Sequence, residues 1–325
     1  MDFLTDKFLV NPERLREPVL VTGAGGCIGA WTMAILQRSG VACIGFDLSA
    51  DRMRPSLVMG RDAAESLAWE VGDITDARDI RTVVGNRGIK SIIHLAGLQV
   101  PFCKATPALG ARVNVEGTIN VLEASREAGI KRTVLASSVA SLAFPQGGAW
   151  HETLYGAYKK ANEHSAFVYW ADWEVPSVCI RPCIVYGLAR DQGVSSRNTV
   201  AIQAAARNEE YIVPYTGPLS WLYAGEAAAA FIAAVSQDGD GAFVFNLNGP
   251  CETVEAGLDV VRSLAPGAKI SCAGSQLPFP ADLDDAPLRS HVPDYPSMPV
   301  EDGIKATYRA FLALKAEGRL PPLPA

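Results

Sequence analysis

Short, continuous apolar runs alternate with longer segments of helical periodicity through the first two-thirds of the chain. Apolar runs of strand character lie at residues 18–22, 41–46, 91–96, 132–137 and 177–181, and helical patterns lie at 27–39, 76–86, 115–128 and 155–173. Strands that are apolar throughout are typical of parallel sheets covered by helices on both faces. The pattern predicts an α/β fold with a doubly wound parallel sheet.

The alternation becomes less regular after residue 187. Residues 198–207 and 225–235 have helical patterns, residues 242–248 form a strand-like run, and residues 300–317 form a final amphipathic helix. Residues 278–299 are rich in Pro and Asp and are expected to form a loop. We therefore predict a first domain over residues 1–187 and a smaller, loop-rich region over 188–325 that packs on it and interleaves with it.

Composition excludes several classes of partner. The chain has 325 residues, 49% of them hydrophobic, and a net charge of −6. A mildly acidic, mixed surface gives no footprint for nucleic acid or an anionic membrane. Apolar runs stay shorter than the roughly 18 to 20 residues that a membrane span needs, and the charged start does not resemble a signal peptide. We expect a small-molecule substrate, no nucleic-acid partner and no membrane association.

The cysteines indicate free thiols rather than disulfides or a metal centre. They are scattered, form no CxxC pair, and have only four histidines as possible co-ligands. A structural zinc site is therefore not expected, and a reducing, cytoplasmic location is. The seven positions are Cys27, Cys43, Cys103, Cys179, Cys183, Cys251 and Cys272.

Three glycines at three-residue intervals separate the first strand from the first helix. The segment reads LVTGAGGCIGAW, with Gly23, Gly26 and Gly29. A turn of bare backbone before a helix N-terminus can receive a pyrophosphate, because N–H groups and the helix dipole point at it. Gly23 would allow the tight turn, Gly26 the approach of phosphate, and Gly29 close packing of helix on strand. The spacing differs by one residue from the commoner Gly-x-Gly-x-x-Gly.

Three further stretches fit the same dinucleotide groove. Asp47 ends the second strand, where an acid binds the ribose hydroxyls of NAD and repels the 2′-phosphate of NADP; a turn or helix-capping role is the alternative. Asp73, in GDITD, is expected near the adenine. In HLAG, which ends at Gly97, backbone would pass under the cofactor, whereas His94 is more typical of a packed core residue.

A candidate acid–base unit opens the longest helix. Tyr155 and Lys159 are four residues apart and so share a helix face, whereas Tyr158 points elsewhere. Ser138 ends the fifth strand, and strand ends of a parallel sheet converge on the ligand crevice; its alternative is a simple turn residue. An ammonium about 4 Å away contributes roughly 1 to 4 kcal/mol, which predicts a phenol pKa lowered by about one to three units. The phenolate could then accept a hydroxyl proton while hydride leaves the same carbon.

Taken together, these motifs resemble the extended short-chain dehydrogenase/reductase family, and most closely its NAD-dependent epimerase/dehydratase branch. TGAGGCIG, GDITD, HLAG, NVEGTINVLEA, LASS, YGAYK and RPCIVYG appear in the family's order over residues 19–187. WLYAGEAAAAFIAAV and PVEDGIKATYRAF extend the likeness more weakly towards the C-terminus. The resemblance implies a Rossmann-type fold that binds NAD and a smaller substrate region.

The resemblance also assigns roles to residues. It implies catalysis by Ser138, Tyr155 and Lys159, with Lys159 also holding the nicotinamide ribose, and a homodimer formed through helices 115–128 and 155–173, the second of which carries Phe167, Tyr169 and Trp170. The implied cofactor contacts are Gly23, Gly26, Cys27, Ile28, Gly29, Asp47, Asp73, Ile74, Leu95, Ala96, Gly97, Tyr155, Lys159, Pro182 and Ile184.

Departures from the family pattern bear on the substrate. Ile184 stands at or near a position where nucleotide-sugar epimerases often carry an Asn that contacts substrate phosphate. Val139 and Ala140 follow Ser138, where the family's dehydratases typically have Asp-Glu, which argues against a dehydratase. Arg190 is a candidate for binding a carboxylate or phosphate, with a solvated loop residue as its alternative. The expected substrate contacts are Gln99, Ser138, Arg190 and Trp221, although Trp221 and Tyr223 suit a core role equally.

These observations predict an NAD-dependent enzyme that oxidises a secondary hydroxyl of a sugar, sugar acid or related substrate. One alternative is a nucleotide-sugar epimerase that holds NAD tightly and returns the hydride to the other face. The other is a non-catalytic dinucleotide sensor on the same fold, although such proteins tend to lose the tyrosine or the lysine.

Overall fold

A computed structural model describes residues 2–143, 152–292 and 295–324 of the chain. The strands in these ranges are β1 (Val19–Thr22), β2 (Cys43–Asp47), β3 (Trp69–Val71), β4 (Ser91–His94), β5 (Thr133–Ala136), β6 (Ser177–Pro182), β7 (Val185–Tyr186), β8 (Tyr211–Val213), β9 (Pro218–Ser220), β10 (Leu222–Tyr223), β11 (Ala242–Leu247), β12 (Cys251–Thr253) and β13 (Ile270–Cys272).

The α-helices in the same ranges are α1 (Cys27–Arg38), α2 (Met53–Met59), α3 (Arg61–Glu65), α4 (Ala77–Asn86), α5 (Val100–Ala105), α6 (Pro107–Ala111), α7 (Gly117–Ala128), α8 (Leu154–Trp173), α9 (Arg197–Arg207), α10 (Ala224–Val235), α11 (Val254–Leu264), α12 (Ala286–His291) and α13 (Val300–Ala316). A π-helical turn (Arg112–Glu116) joins α6 to α7. Short 3-10 helices lie at Asp2–Leu4, Asp6–Phe8, Pro12–Arg14, Val139–Leu142 and Val194–Ser196.

Seven parallel strands form the central sheet, in the order β11-β6-β5-β4-β1-β2-β3. Strand β1 lies between β2 and β4, with Val19 opposite both Cys43 and Ser91. The chain winds outwards in both directions from β1, so the strand order reverses between β1 and β4. Loops at the carboxyl ends of these strands diverge there and leave a crevice. The doubly wound parallel sheet predicted from the sequence is confirmed.

Apolar residues cover both faces of the sheet. Val19 and Val21 belong to the core under α1 and α10, whereas Leu20, between them, belongs to the core under α4, α7 and α8. Neighbouring residues of a strand point to opposite faces, so a strand buried on both sides must be apolar throughout. This is the physical reason for the continuous runs in the sequence.

The chain after residue 187 contributes to both parts of the molecule. Strand β11 pairs with β6 and completes the central sheet at one edge, and α10 packs on α1. The remaining elements form the two-stranded sheets β7–β10, β8–β13 and β9–β12 and a layer in which α9, α11 and α13 pack together. The division of the chain at residue 187 stays a prediction.

One segment expected to be loop contains a helix. Within residues 278–299, α12 covers Ala286–His291. Asp285 and Arg289, four residues apart, form an ion pair, and the Arg289 guanidinium also reaches the buried carboxylate of Glu226 on α10. These tertiary contacts stabilise a short helix that its Pro- and Asp-rich sequence does not favour by itself.

His94 is a packed core residue, as its position in a buried strand suggested. Only 1% of its surface is exposed. Its Nδ1 lies 2.7 Å from the Thr22 hydroxyl and its Nε2 lies 3.1 Å from the Thr118 hydroxyl. Burial lowers the pKa of His94 to about 3, so the ring stays neutral in the folded protein.

This burial predicts a specific loss of stability in mild acid. Below about pH 6.5 the unfolded chain binds a proton at His94 that the folded protein does not bind until about pH 3. The free energy of unfolding should therefore fall by about 1.4 kcal/mol per pH unit between pH 6 and pH 4.5 through this residue. Urea denaturation of the native protein and of His94→Gln over that range measures the difference in slope.

The matched control is His164→Gln, because His164 is exposed on α8. That variant should keep the native pH slope, whereas His94→Gln should lose part of it. Equal slopes for all three proteins would contradict the prediction.

Candidate active site

The glycine loop brings three parts of the backbone into close contact. Gly23 has a positive φ of 69°, and a β-carbon built on it would lie 2.6 Å from the Ala96 nitrogen at the end of β4. A β-carbon on Gly29 would lie 2.2 Å from the Gly23 carbonyl oxygen. Helix α1 begins directly after Gly26, so its unpaired N–H groups open onto the crevice. Glycine is required at Gly23 and Gly29 because the β-carbon of any other residue would clash with backbone there.

Two adjoining cavities follow this loop. The first, of about 380 Å³, lies between the glycine loop and the ends of β2, β3 and β4; the second, of about 400 Å³, extends past the ends of β5 and β6. Both are bordered by Gly23, Gly26, Cys27, Leu95, Gly97, Gln99 and Arg190.

The residues expected to contact the cofactor all border this pair of cavities. Apart from the shared ones, the first is lined by Asp47, Asp73, Ile74 and Ala96. The second is lined by Ile28, Gly29, Ser138, Tyr155, Lys159, Pro182 and Ile184.

The Asp47 carboxylate is fixed at the mouth of the first cavity. Its oxygens accept hydrogen bonds of 2.8 Å from the backbone N–H groups of Gly25 and Leu48. The nearest basic residue in sequence, Arg52, stacks instead on Trp69, with its guanidinium carbon 5.0 Å from the ring centroid. Arg52 therefore does not pair with the Asp47 carboxylate, which faces the cavity.

Arg54 enters the first cavity, a contact that the sequence analysis missed. Its guanidinium binds both carboxylate oxygens of Asp191 at 2.9 and 3.1 Å and donates to the Gly25 carbonyl oxygen at 3.1 Å. This ion pair joins α2 to the loop after β7 across the glycine loop. Arg52 precedes α2, which begins at Met53, whereas Arg54 lies within the helix. This difference in position explains why the two side chains have different partners.

Ser138 and Tyr155 meet because the start of α8 packs directly on the turn after β5. A β-carbon on Gly156 would lie 2.3 Å from the Ala140 carbonyl oxygen, and the Thr153 hydroxyl caps α8 by accepting from the Gly156 N–H at 3.0 Å. Ser138 in turn caps the 3-10 turn Val139–Leu142. Both ends are thereby fixed, and the side chains of Ser138 and Tyr155 line the same cavity.

Lys159 lies one turn further along α8 and is 3% exposed. Its Nζ donates to the Ala136 carbonyl oxygen at 2.6 Å and lies 5.7 Å from the centroid of the Tyr155 ring. Tyr158 points away from the cavity and donates to the Pro107 carbonyl oxygen. The assignment of helix faces made from the spacing therefore agrees with the geometry.

The expected lowering of the phenol pKa by Lys159 was wrong. Burial raises the pKa of Tyr155 above its usual value, and the hydrogen bond with Ser138 and the charge of Arg190 offset this only in part. Burial also lowers the pKa of Lys159 to about 8. The estimate of one to three units treated the pair as if only Coulomb attraction acted, but desolvation opposes the charged form of both groups.

Glu163 organises the elements around Ser138 and was not singled out in the sequence. Its carboxylate is 1% exposed and accepts from the hydroxyls of Ser137 and Ser141 at 2.6 and 2.8 Å. The Arg181 guanidinium binds it at 2.6 and 2.7 Å. Burial by itself would raise the pKa of Glu163, but these hydrogen bonds hold it below the usual value. It lies four residues after Lys159, on the same helix face.

Arg190 lies where the two cavities adjoin. A sharp turn precedes it, in which Ala189 has a positive φ of 71° and the Arg190 N–H donates to the Gly187 carbonyl oxygen. One terminal nitrogen lies 3.3 Å from the Ser195 hydroxyl, while the buried Nε has no partner among the described residues. A guanidinium with an unused buried donor is suited to an anionic ligand.

Trp221 does not line either cavity, so its expected role in substrate binding was wrong. It is fully buried and packs edge-on against Tyr186, with ring centroids 5.1 Å apart. A β-carbon on Gly257 would lie 2.2 Å from its ring, so a glycine in α11 is required for this packing. Tyr223 is also fully buried.

The structure adds contacts that lie far apart in the chain. The second cavity is also bordered by Val100 and Pro101 at the start of α5, by the turn containing Val194 and Ser195, and by residues 277–279. No spacing rule connects residues 277–279 to the glycine loop, because only tertiary packing brings them there. Elsewhere in the described ranges, no cluster of His, Cys, Asp or Glu side chains is suited to a metal ion, and no helix is long and apolar enough to span a bilayer.

The model of the NAD-dependent epimerase/dehydratase family matches residues 19–247, and the chain belongs to this family. A UDP-glucuronate 4-epimerase of Thermodesulfobacterium geofontis is 30% identical over 183 residues, which are 52% of this chain and 56% of that protein. A UDP-glucose 4-epimerase of Mycolicibacterium smegmatis is 28% identical over 77% of this chain and 82% of its own length. The chain thus spans about half the length of several curated relatives that it matches.

Solved structures confirm the fold. A partial-consensus L-threonine 3-dehydrogenase superposes with a TM-score of 0.77 at 22% identity, covering 91% of this chain and 99% of that one. The UDP-glucose 4-epimerase of Thermus thermophilus in complex with NAD gives a TM-score of 0.72 at 23% identity, covering 90% and 98%. The fold expected from the sequence is therefore confirmed, and the family expected from the motifs is the NAD-dependent epimerase/dehydratase family whose model matches.

The groove fits NAD in the part of the chain that is described. The first N–H groups of α1, after Gly26, would bind a pyrophosphate, and the glycines of the preceding loop place no side chain in its way. Asp47 borders the first cavity and Lys159 borders the second, where they would bind ribose hydroxyls and the nicotinamide ribose of NAD respectively.

Asp47 should decide between NAD and NADP. We expect NAD to bind at least roughly tenfold more tightly, because a 2′-phosphate would face this carboxylate, while Arg54 is already paired with Asp191. Asp47→Ser should reduce the preference mainly by improving NADP binding. Calorimetric titration of both dinucleotides into both proteins measures it.

Asp62→Asn is the matched control for this titration, since Asp62 is exposed on α3 and borders neither cavity. It should keep the native preference. Equal affinities of the native protein for NAD and NADP would mean that Asp47 does not face the ribose.

Proposed function

We propose that the protein oxidises a secondary hydroxyl of a sugar, sugar acid or related small molecule, with NAD as hydride acceptor. The observation that carries this proposal is the convergence of Ser138, Tyr155 and Lys159 on one cavity that adjoins the glycine loop. A proton acceptor beside a dinucleotide groove is the minimum that alcohol oxidation requires.

In the proposed mechanism, Ser138 and Tyr155 both hydrogen-bond the reacting oxygen. Tyr155 first loses its own proton to solvent, and the phenolate then accepts the hydroxyl proton as the C–O bond gains carbonyl character. Bound NAD supplies the acceptor for the hydride that leaves the same carbon. Lys159, fixed by the Ala136 carbonyl oxygen, would hold the nicotinamide ribose of bound NAD. Positioned proton transfer of this kind is worth about 10² to 10⁴ in rate.

The main alternative is a nucleotide-sugar epimerase that keeps NAD bound and returns the hydride to the opposite face. The similarity to UDP-glucuronate and UDP-glucose 4-epimerases favours it. Ile184, which borders the second cavity and cannot hydrogen-bond a phosphate, favours the dehydrogenase. Purified protein incubated with NAD and candidate sugars separates the two: net NADH accumulates with a dehydrogenase, and an epimer appears without it in the alternative. A non-catalytic sensor would give neither product.

We further propose a cytoplasmic homodimer. Phe167 and Val168 on α8 are 46% and 51% exposed, which favours a partner helix on this face. The sequence places Tyr169 on the interface helix with Phe167. In the structure Tyr169 is buried against its own subunit, so it does not belong to the proposed interface. All seven cysteines are free thiols, which supports a reducing compartment.

Tyr155→Phe should lower the rate of oxidation by about 10² to 10⁴ while NAD affinity stays within a few-fold, because only the proton acceptor is lost. Tyr158→Phe is the matched control: it removes the same hydroxyl three residues away, on another helix face, and should leave the rate within a few-fold. Steady-state kinetics and NAD titration of both variants check this. Equal losses of activity would refute the assignment.

Arg190→Ala should raise KM for an anionic substrate by about ten- to a hundredfold, since a charge-assisted hydrogen bond contributes roughly 1.5 to 3 kcal/mol. Arg190→Lys should recover only part of the loss, because it restores the charge without the planar fork. The kinetics are measured at saturating NAD. An unchanged kcat/KM, or a best substrate that is neutral, would return Arg190 to the role of a loop residue.

A further inference from the structure

The outer wall of the second cavity is apolar. Three separate segments form it: Val100 and Pro101 at the start of α5, Val194 in its 3-10 turn, and residues 277–279, which are Leu, Pro and Phe. Val194 is 53% exposed. Exposed apolar side chains that converge on one opening from distant parts of a chain are typical of a ligand-binding surface.

Several polar side chains of the described lining already make hydrogen bonds within the protein. The Thr153 hydroxyl accepts from the first turn of α8, the Ser195 hydroxyl accepts from Arg190, and the Ser137 hydroxyl donates to Glu163. Besides Ser138 and Tyr155, the Gln99 amide, the Arg190 guanidinium and the O–H donors of Thr153 and Ser195 are left to bind a substrate.

The apolar wall is unfavourable for a polyhydroxylated ligand. A sugar carries a hydroxyl on almost every carbon, and each hydroxyl buried against this wall loses its hydrogen bonds to water without replacement. A hydrocarbon group in the same position is stabilised by its removal from water. The apolar wall therefore favours substrates with a hydrocarbon skeleton over hydroxylated ones, while Arg190 binds the charged group of the substrate.

We propose that the second cavity takes a small hydroxy acid whose carboxylate binds Arg190 and whose remaining carbons are aliphatic or aromatic rather than hydroxylated. The proposal rests on the proposed oxidation and narrows its substrate class. The secondary hydroxyl loses its proton to Tyr155 and its carbon-bound hydrogen, as hydride, to NAD. The products are a keto acid, NADH and a proton.

The first experiment compares matched substrates with the native protein and NAD. Hydroxy acids with alkyl or phenyl groups are tested against gluconate, galacturonate, UDP-glucose and neutral alcohols of the same skeleton, with NADH absorbance as the readout. We expect kcat/KM for the apolar hydroxy acids to exceed that for every other class by at least about tenfold. A polyhydroxy acid or nucleotide sugar as the better substrate would overturn the proposal and leave the oxidation itself intact.

Variants of the wall test the same inference independently. Phe279→Ala should lower kcat/KM for an aryl or branched alkyl hydroxy acid by about ten- to a hundredfold, the range typical of lost methylene or ring contacts in apolar pockets, and should change that for gluconate within a few-fold. Val194→Thr should reduce the ratio of kcat/KM for the aryl or alkyl hydroxy acid to kcat/KM for gluconate. Ile212→Thr is its control, because Ile212 is a β-branched residue that is 54% exposed and borders neither cavity. Equal effects of Phe279→Ala on both acids would contradict the assigned wall.

A binding measurement separates failure of this inference from failure of the proposed oxidation. Phenylpropionate and gluconate are titrated calorimetrically into the protein saturated with NAD. Tighter binding of phenylpropionate that is weakened in Arg190→Ala supports the substrate class even where nothing is oxidised. Equal binding of both, or none, overturns it.

Discussion

The backbone of Gly23 lies against the chain just after β4. A β-carbon built on Gly23 would lie only 2.6 Å from the Ala96 nitrogen. This approach occurs at the point where the strand order reverses between β1 and β4. Because Gly23 has no side chain, its loop packs directly on the chain after β4, and both cavities border this contact. The pair of cavities, the position of α1 and the placement of Asp47 all follow from that constraint.

A buried carboxylate, that of Glu163, connects the helix that carries Tyr155 and Lys159 to the turn beside Ser138. Glu163 binds the turn beside Ser138 through two hydroxyls and binds strand β6 through Arg181. A buried charge of this kind is tolerated only where its oxygens are fully hydrogen-bonded. Removing one partner would leave the charge uncompensated, so strand end, turn and helix must be positioned together. Tyr155 and Lys159 therefore sit on a helix whose position over the sheet is fixed by polar contacts as well as apolar ones.

Sequence reasoning predicted the parts that depend on local patterns. Continuous apolar strands, the glycine spacing and the four-residue interval between Tyr155 and Lys159 each have a direct physical meaning. It failed where tertiary context decides. Trp221 became a core residue because Gly257, 36 positions later, makes room for its ring. Desolvation overrode the Coulomb argument for Tyr155, and Arg54 and residues 277–279 reached the site through packing that no periodicity encodes.

The position of β11 has a consequence for how the protein is made. The strand that closes the edge of the central sheet is Ala242–Leu247, more than fifty residues after β6, its neighbour. During synthesis the first six strands emerge from the ribosome with β6 still an open edge, and at about 5 to 20 residues per second the gap lasts several seconds. An unpaired, apolar edge strand is a template for misassociation. The strand order therefore leaves β6 open to pairing with other chains until β11 has been synthesised.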